Sequence, residues 1–326
     1  MPAAASPLAA KSLLQGVAKA GDRLVAVGQR GHILVSADQG ATWKQAKVPV
    51  SSDLLAVYFV NDRKGWAVGH DGVVLATADG GDTWTLQLDG KRANAQILDY
   101  LQRRVTEDPA STTLKGLLDE AKRAQENGAD KPFLDVWFAD ENTGYVVGAY
   151  NLILKTTDGG RTWQPWVDRT DNPKAFNLYA IRPAAGTVYI AGESGLVLAL
   201  DAEGQRFRAQ EVPYKGSFFG IAGGPDAVIV FGLRGNAFRS ADAGKTWAKV
   251  DAGLPATIVG TTRTASGAVI LVDAGGRIAV SSDAGRSFKP VEIATRMPLT
   301  GIAEAGNGRF ALVGPRGAAV TPLAVR

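Results

Sequence analysis

The apolar positions of this chain fall in short runs rather than long stretches. Between residues 54 and 88 they form Leu54–Val60, Gly65–Val68, Val73–Thr77 and Thr83–Leu88, rich in β-formers and separated by Gly, Asp and Asn. Alternation with such punctuation predicts strands joined by tight turns. The pattern returns along most of the chain, so the repeat has to be read first. Its first marker is a Gly-x-x-Gly turn between two apolar runs, at Gly28–Gly31, Gly69–Gly72, Gly192–Gly195, Gly232–Gly235 and Gly314–Gly317. In two variants, Gly148-Ala149-Tyr150-Asn151 and Asp273-Ala274-Gly275-Gly276, Asn or Asp replaces one Gly. These are the side chains best able to take over a positive φ. First positions 28, 69, 148, 192, 232, 273 and 314 are 40 to 44 residues apart, except for one step of 79. Four strands in about forty residues make one propeller blade. The prediction is an all-β, seven-bladed β-propeller of four-stranded antiparallel blades, one domain over residues 1–326.

A second marker lies downstream in five of the units. Ser36-Ala37-Asp38-Gln39-Gly40-Ala41-Thr42-Trp43 recurs at Thr77–Trp84, Thr156–Trp163, Ser240–Trp247 and Ser281–Phe288, an Asp-box. Leu200–Phe207 keeps Gly204 and the aromatic but loses the Asp. Asp38, Asp79, Asp158, Asp242 and Asp283 are read as structural, because an Asp can accept backbone N–H groups two or more residues on and fix the turn. The Trp packs the outer strand and buries a large apolar area. One such Asp per blade, spread around a ring, cannot converge on a metal or a substrate.

The long step holds 38 extra residues, about 91–131, between blades 2 and 3. Here the period becomes helical: Ile97, Leu98, Leu101 and Val105 form one stripe, and Leu114, Leu117, Leu118 and Ala121 another. Pro109 separates them, Ser111 to Thr113 supply N-cap residues and Gly128 is a stop, so a helical hairpin is expected. Loops after strands two and four of a blade share a face. The hairpin and all the Gly-x-x-Gly turns therefore belong on one face and the Asp-boxes on the other. The hairpin either packs its stripes on the propeller or also rims a binding surface. Unit seven has only three strands, and an open edge is a liability. The N-terminal segment 1–11 is expected to supply the fourth, so that its removal destabilises the ring.

Composition narrows the chemistry. The chain has no Cys, which excludes disulfides, thiolate catalysis and Cys-based zinc sites. Net charge is +4 with scattered Lys and Arg, so nucleic acid is not expected as a partner. No apolar run reaches about 18 residues, so no transmembrane segment is predicted. Met1–Ser12 is Pro/Ala-rich without a signal core; Ala-rich starts of this kind follow a removed signal, and export to the periplasm is the expectation.

The only histidines, His32 and His70, lie in different blades, so neither a metal site nor a Ser–His–Asp triad is expected. The Gly-x-x-Gly turns lack the following Gly-Lys-Ser/Thr of a phosphate loop, and no cofactor is expected. Their middle residues are another matter. Arg30, His70, Asp71, Tyr150, Glu193, Arg234 and Arg316 are long or polar, are not needed for the turn, and project toward one face. They are the candidate partner-binding residues, since binding groups concentrate on loops held by a rigid scaffold.

Thr77-Ala78-Asp79-Gly80-Gly81-Asp82-Thr83-Trp84, preceded by Gly65-Trp66-Ala67-Val68-Gly69, resembles the Ycf48/HCF136-like family of photosystem II stability and assembly factors and its bacterial relatives, within the BNR/Asp-box repeat proteins. The resemblance covers nearly the whole chain except the helical insertion. It implies a non-enzymatic scaffold, exported to a lumen or periplasm, that engages membrane-protein subunits during assembly. Plant and cyanobacterial members of the family are described as having an Arg-rich face, to which Arg30, Arg234 and Arg316 would be a partial counterpart. A monomer is expected. The alternative is a carbohydrate-active Asp-box propeller, lectin-like or sialidase-like. A lectin would need aromatic platforms, for which Tyr150, Trp166 and Tyr214 are candidates, and a hydrolase would need paired carboxylates. Against a sialidase stand the missing early Arg-Ile-Pro element and a count of seven blades rather than six.

Overall fold

The computed structural model describes residues 1–293 and 296–325. Seven antiparallel sheets follow one another along the chain, each with its strands in sequence order. Blade 1 holds Leu14–Ala20, Arg23–Gly28, Ile33–Ser36 and Lys44–Gln45. The first strands of blades 2 to 7 are Leu54–Phe59, Phe133–Phe138, Leu178–Ala184, Phe218–Gly224, Ile258–Arg263 and Gly301–Gly306. Each of these packs against the next, and the last packs against Leu14–Ala20, which closes a ring around a central channel. The four strands of blade 2 begin and end within two residues of the apolar runs that predict them.

The core lies between blades. Trp66 of blade 2 stacks on Phe138 of blade 3 with ring centroids 3.4 Å apart and planes 5° from parallel. Its indole N–H donates to the Gly159 carbonyl at 3.3 Å. Burying one large apolar side chain contributes about 1.5–3 kcal/mol, so adjoining blades are held mainly by such contacts.

The Asp-boxes are closed by short-range hydrogen bonds. The Thr42 N–H and hydroxyl donate to Asp38 at 2.9 and 2.6 Å, the Ser36 hydroxyl donates to Asp38 at 2.7 Å, and Gly40 N–H donates to the Ser36 hydroxyl at 2.8 Å. Asp79, Asp158, Asp242 and Asp283 repeat these bonds. In blade 4 the motif position is Ala202, yet a carboxylate is still used. Asp201, one residue earlier, accepts from the N–H groups of Gln205 and Arg206 at 2.8 and 3.2 Å.

The insertion is a helical hairpin, α1 (Gly90–Glu107) and α2 (Thr112–Asn127). Asp89 caps α1 by accepting from Arg92 N–H at 2.9 Å, Ser111 caps α2 through Leu114 N–H at 3.3 Å, and Gly128 ends α2 at φ 84°. Ile97, Leu101, Leu114 and Ala121 join one core with Leu152, Trp166 and Val167 of blade 3. The Tyr100 hydroxyl donates to Asp168 at 2.9 Å, and the Arg104 guanidinium lies 3.0 Å from the same carboxylate.

The N-terminal segment corrects one expectation. Among the described residues blade 7 is three-stranded (Gly301–Gly306, Arg309–Gly314, Gly317–Pro322), and residues 1–11 do not pair with its edge. Pro2 and Pro7 remove ladder donors from a short segment, which suits it poorly to a strand. Instead Ala3 N–H donates to the Val48 carbonyl at 3.1 Å, and Ser6 N–H donates to the Gln45 side chain at 3.0 Å, beside the outer strand of blade 1. Ala9–Lys11 then forms a single 3-10 turn against the Gly317 hairpin of blade 7. The segment clasps blades 7 and 1 without extending a sheet.

Candidate functional site

The Gly-x-x-Gly turns are built alike. The third residue sits in the left-handed region at Arg30, Asp71, Tyr150, Ser194 and Arg234, with φ between 53° and 58°. Such a conformation persists in non-Gly residues only where the surroundings hold it. At four of the five, all but Asp71, the holding group comes from the next blade. Arg30 N–H donates to the Asp53 carboxylate at 2.7 Å, Tyr150 N–H to the Asn177 side chain at 2.9 Å, Ser194 N–H to the Ser217 hydroxyl at 3.4 Å, and Arg234 N–H to the Thr257 hydroxyl at 3.4 Å. Each acceptor is the residue just before the first strand of the following blade. Its backbone carbonyl serves the turn of its own blade: Asp53 accepts from His70 N–H, Asn177 from Glu193, Ser217 from Leu233 and Thr257 from Ala274. One residue thus bridges two turns.

The candidate side chains divide. Arg30, His70, Asp71, Tyr150, Arg234 and Arg316 are exposed on the turns. Among the described residues no carboxylate lies within 4 Å of the guanidinium groups of Arg30, Arg234 or Arg316. Asp71 accepts from the Ser52 hydroxyl at 2.5 Å. Glu193 is half-buried and accepts from Asn177 N–H at 3.2 Å, so it braces its own turn. The arginines fall in blades 5, 7 and 1, and the acidic and aromatic candidates in blades 2, 3 and 4. His32 is buried beside the Ser12 hydroxyl at 3.3 Å, and burial, followed by the Arg30 charge, holds its imidazole below the usual 6.5.

Inside this rim lies a feature that alternation alone does not show. In blades 1 to 6 the pairing of the first strand with the second slips by one residue near its start. The slip leaves Leu55, Leu134, Tyr179, Phe219 and Val259 unpaired in blades 2 to 6. All five are half-buried and line the central channel. Bulges of this kind re-aim side chains. Here they form an apolar collar, and the Tyr179 and Phe219 rings meet at 5.0 Å between centroids. Deeper in the channel wall, Asp135 pairs with Arg182 at 2.6 Å, and the guanidinium lies 5.7 Å from the Tyr58 ring centre. Burial pushes the Asp135 carboxyl above its ordinary value, and the Arg182 charge opposes the shift.

The model of a family described as "Photosynthesis system II assembly factor YCF48" matches residues 10–77, 35–99 and 119–292, well over half of the chain. The chain belongs to this family. The stretch between residues 99 and 119, which the family pattern leaves out, falls within the hairpin. Photosystem II assembly lipoprotein Ycf48 of Prochlorococcus marinus is 60% identical over 35 residues, 11% of this chain and 10% of that protein. The Ycf48 lipoprotein of a Synechococcus species is 27% identical over 118 residues, 35% of each chain. The matched stretches span from a tenth to about a third of these relatives' lengths. A solved structure of YCF48 bound to D1 peptide shares the fold at a TM-score of 0.67 and 14% identity, covering 97% of this chain and 94% of that one.

As for aromatic platforms, Trp166 is buried, with Lys155 and Arg169 over its ring at 4.6 and 5.1 Å, and Tyr214 donates its hydroxyl to the Leu233 carbonyl at 3.1 Å. Of the three, Tyr150 is the exposed one, at 66%, with the Lys131 ammonium 5.5 Å from its ring centre.

Proposed function

We propose that this Ycf48-family chain is a non-enzymatic assembly or stability factor that docks a membrane-protein partner over the channel mouth on the Gly-x-x-Gly face. The observation that carries the reading is the apolar collar within a rim of exposed polar and cationic side chains, four of whose turns have their backbone fixed by the neighbouring blade. An apolar centre with a polar rim is the anatomy of a protein interface, and preorganised backbone lowers the cost of binding. The three arginines offer forked donors to acidic groups of the partner. Two relatives named as photosystem II assembly lipoproteins and a similar fold carrying a D1 peptide support the partner class, and the lipoprotein names support an exported site at the membrane surface, in the periplasm or its equivalent. Against catalysis, glycoside hydrolysis needs two carboxylates, and among the described lining of the channel Asp135 is the sole one, held by Arg182.

The test is an affinity pull-down from solubilised membranes with wild type and an Arg30→Glu/Arg234→Glu/Arg316→Glu variant. Recovery of a membrane complex by wild type alone is expected, with unchanged thermal unfolding of the variant. Equal recovery by both removes the arginines from the interface.

A further inference from the structure

The hairpin does more than pack. Between α1, α2 and the rim of blades 3 and 4 it leaves a cleft of about 350 Å³, within the size range of small-molecule sites. Its walls are aliphatic, with Ile97, Leu101, Leu117, Ala121, Leu152 and Val167 among them. The buried polar groups that reach it are already spoken for. Asn94 donates to the carbonyls of Ala124 and Gly128 at 2.9 and 2.7 Å. Asn151 donates to the Val167 carbonyl at 2.9 Å and accepts from Thr170 and Asn172 at 2.9 and 3.0 Å. A peptide entering here would bury amides without partners and lose their hydration for nothing in return. A polymethylene chain carries no such penalty.

The open side is cationic. Tyr150 and Lys174 are exposed lining residues, and Lys131 is half-buried beside them. Among the described residues neither lysine has a carboxylate within 4 Å. The Lys131 ammonium lies 5.5 Å from the Tyr150 ring centre, and that of Lys174 5.7 Å from the Phe176 ring centre. The other charged lining residue, Glu120, is paired with Arg123. A cleft of about 350 Å³ lies at the lower end of the range for small-molecule sites, which suits one short ligand.

We propose that the cleft under the hairpin binds one medium-length fatty acid, with the acyl chain against Ile97, Leu101 and Leu152 and the carboxylate between Lys131 and Lys174. This site is separate from the collar and its arginines, so it stands or falls independently of partner docking.

Isothermal titration calorimetry of the full chain with dodecanoate, below its micellar concentration, tests it. Saturable one-to-one binding is expected. Lys131→Gln/Lys174→Gln, two surface changes, should weaken it on the order of tenfold, the size expected of two partly exposed ion pairs. Ala121→Phe fills the cleft and should abolish binding, with thermal unfolding recorded to show that the hairpin remains folded. Dodecyltrimethylammonium should not bind. Absence of saturable dodecanoate binding overturns the proposal. So does equal affinity in the lysine variant, equal binding of the cationic amphiphile, or capture by phosphatidylglycerol vesicles without binding of the free acid.

Discussion

Asp38 accepts from the Thr42 hydroxyl, the Thr42 N–H and the Ser36 hydroxyl, and these bonds hold its carboxyl down, from the ordinary 3.8 to about 2. Asp242, held first by the Thr246 hydroxyl, lies equally low. At Asp158 burial opposes the shift, but bonds from Thr162 overcome it and again leave a value of about 2. A carboxyl lowered by folding stabilises the fold fully above its unfolded value and loses that contribution as pH falls through its folded value. The Asp-box contribution to the stability of the ring should therefore be level from neutral pH down to about 4 and fall between the ordinary 3.8 and about 2. Urea midpoints measured against pH would show the decline, and Thr42→Val should shrink the part of it that Asp38 contributes. These residues were legible in the sequence because their partners lie within four positions. Asp201 was not, since the same service moved by one residue. The bracing of Glu193 is hidden because its partner, Asn177 N–H, lies 16 residues back across its own blade, and the bridging role of Asp53 because the turn of Arg30 is brought to it by the ring.

At the level of elements, the hairpin shows both what periodicity reveals and what it conceals. Two apolar stripes, Ser111 and Gly128 mark two helices and their ends, and both helices are present. The anchor of α1 had no local signal, because Asp168 lies 68 residues from Tyr100. Asp168 is nearly buried while Arg104 is a third exposed, so the triad is worth far less than a fully buried ion pair. Asp168→Ala should cost about 1–3 kcal/mol by stranding the Tyr100 hydroxyl. Hydrogen exchange should locate the loss: faster exchange in α1 and α2, with the strands of blades 5 to 7 unchanged. The collar was equally unreadable. A one-residue slip is invisible in an alternating pattern, yet it decides which side chains face the channel mouth.

For the whole molecule, spacing alone predicts seven blades, since the count needs only the regular return of turns. Closure depends on what meets across the seam. The Thr300 hydroxyl donates to the Leu14 carbonyl at 2.7 Å, and a β-carbon on Gly317, whose φ is 89°, would lie 2.0 Å from the Ala10 carbonyl oxygen. Removing residues 1–11 takes away Ala9, which is 2% exposed, and the bonds from Ala3 and Ser6. At ~0.5–1.5 kcal/mol for each hydrogen bond and about 1 kcal/mol for the buried methyl, the loss should be roughly 2–4 kcal/mol. Calorimetry should show a lower Tm with a single transition retained. Two transitions would mean that the seam opens before the rest of the ring.

The bridging residues Asp53, Asn177, Ser217 and Thr257 also determine how such a ring can be cut and rejoined. A blade exchanged between relatives at the ends of its own sheet would arrive without the acceptor that its turn requires, because that acceptor is encoded some 23 to 27 positions downstream of the turn, just before the neighbouring sheet. The natural module is therefore offset from the visible blade, running from one turn to the residue just before the following sheet, and chimaeras joined just beyond that residue would keep each of these four turns with its own clasp.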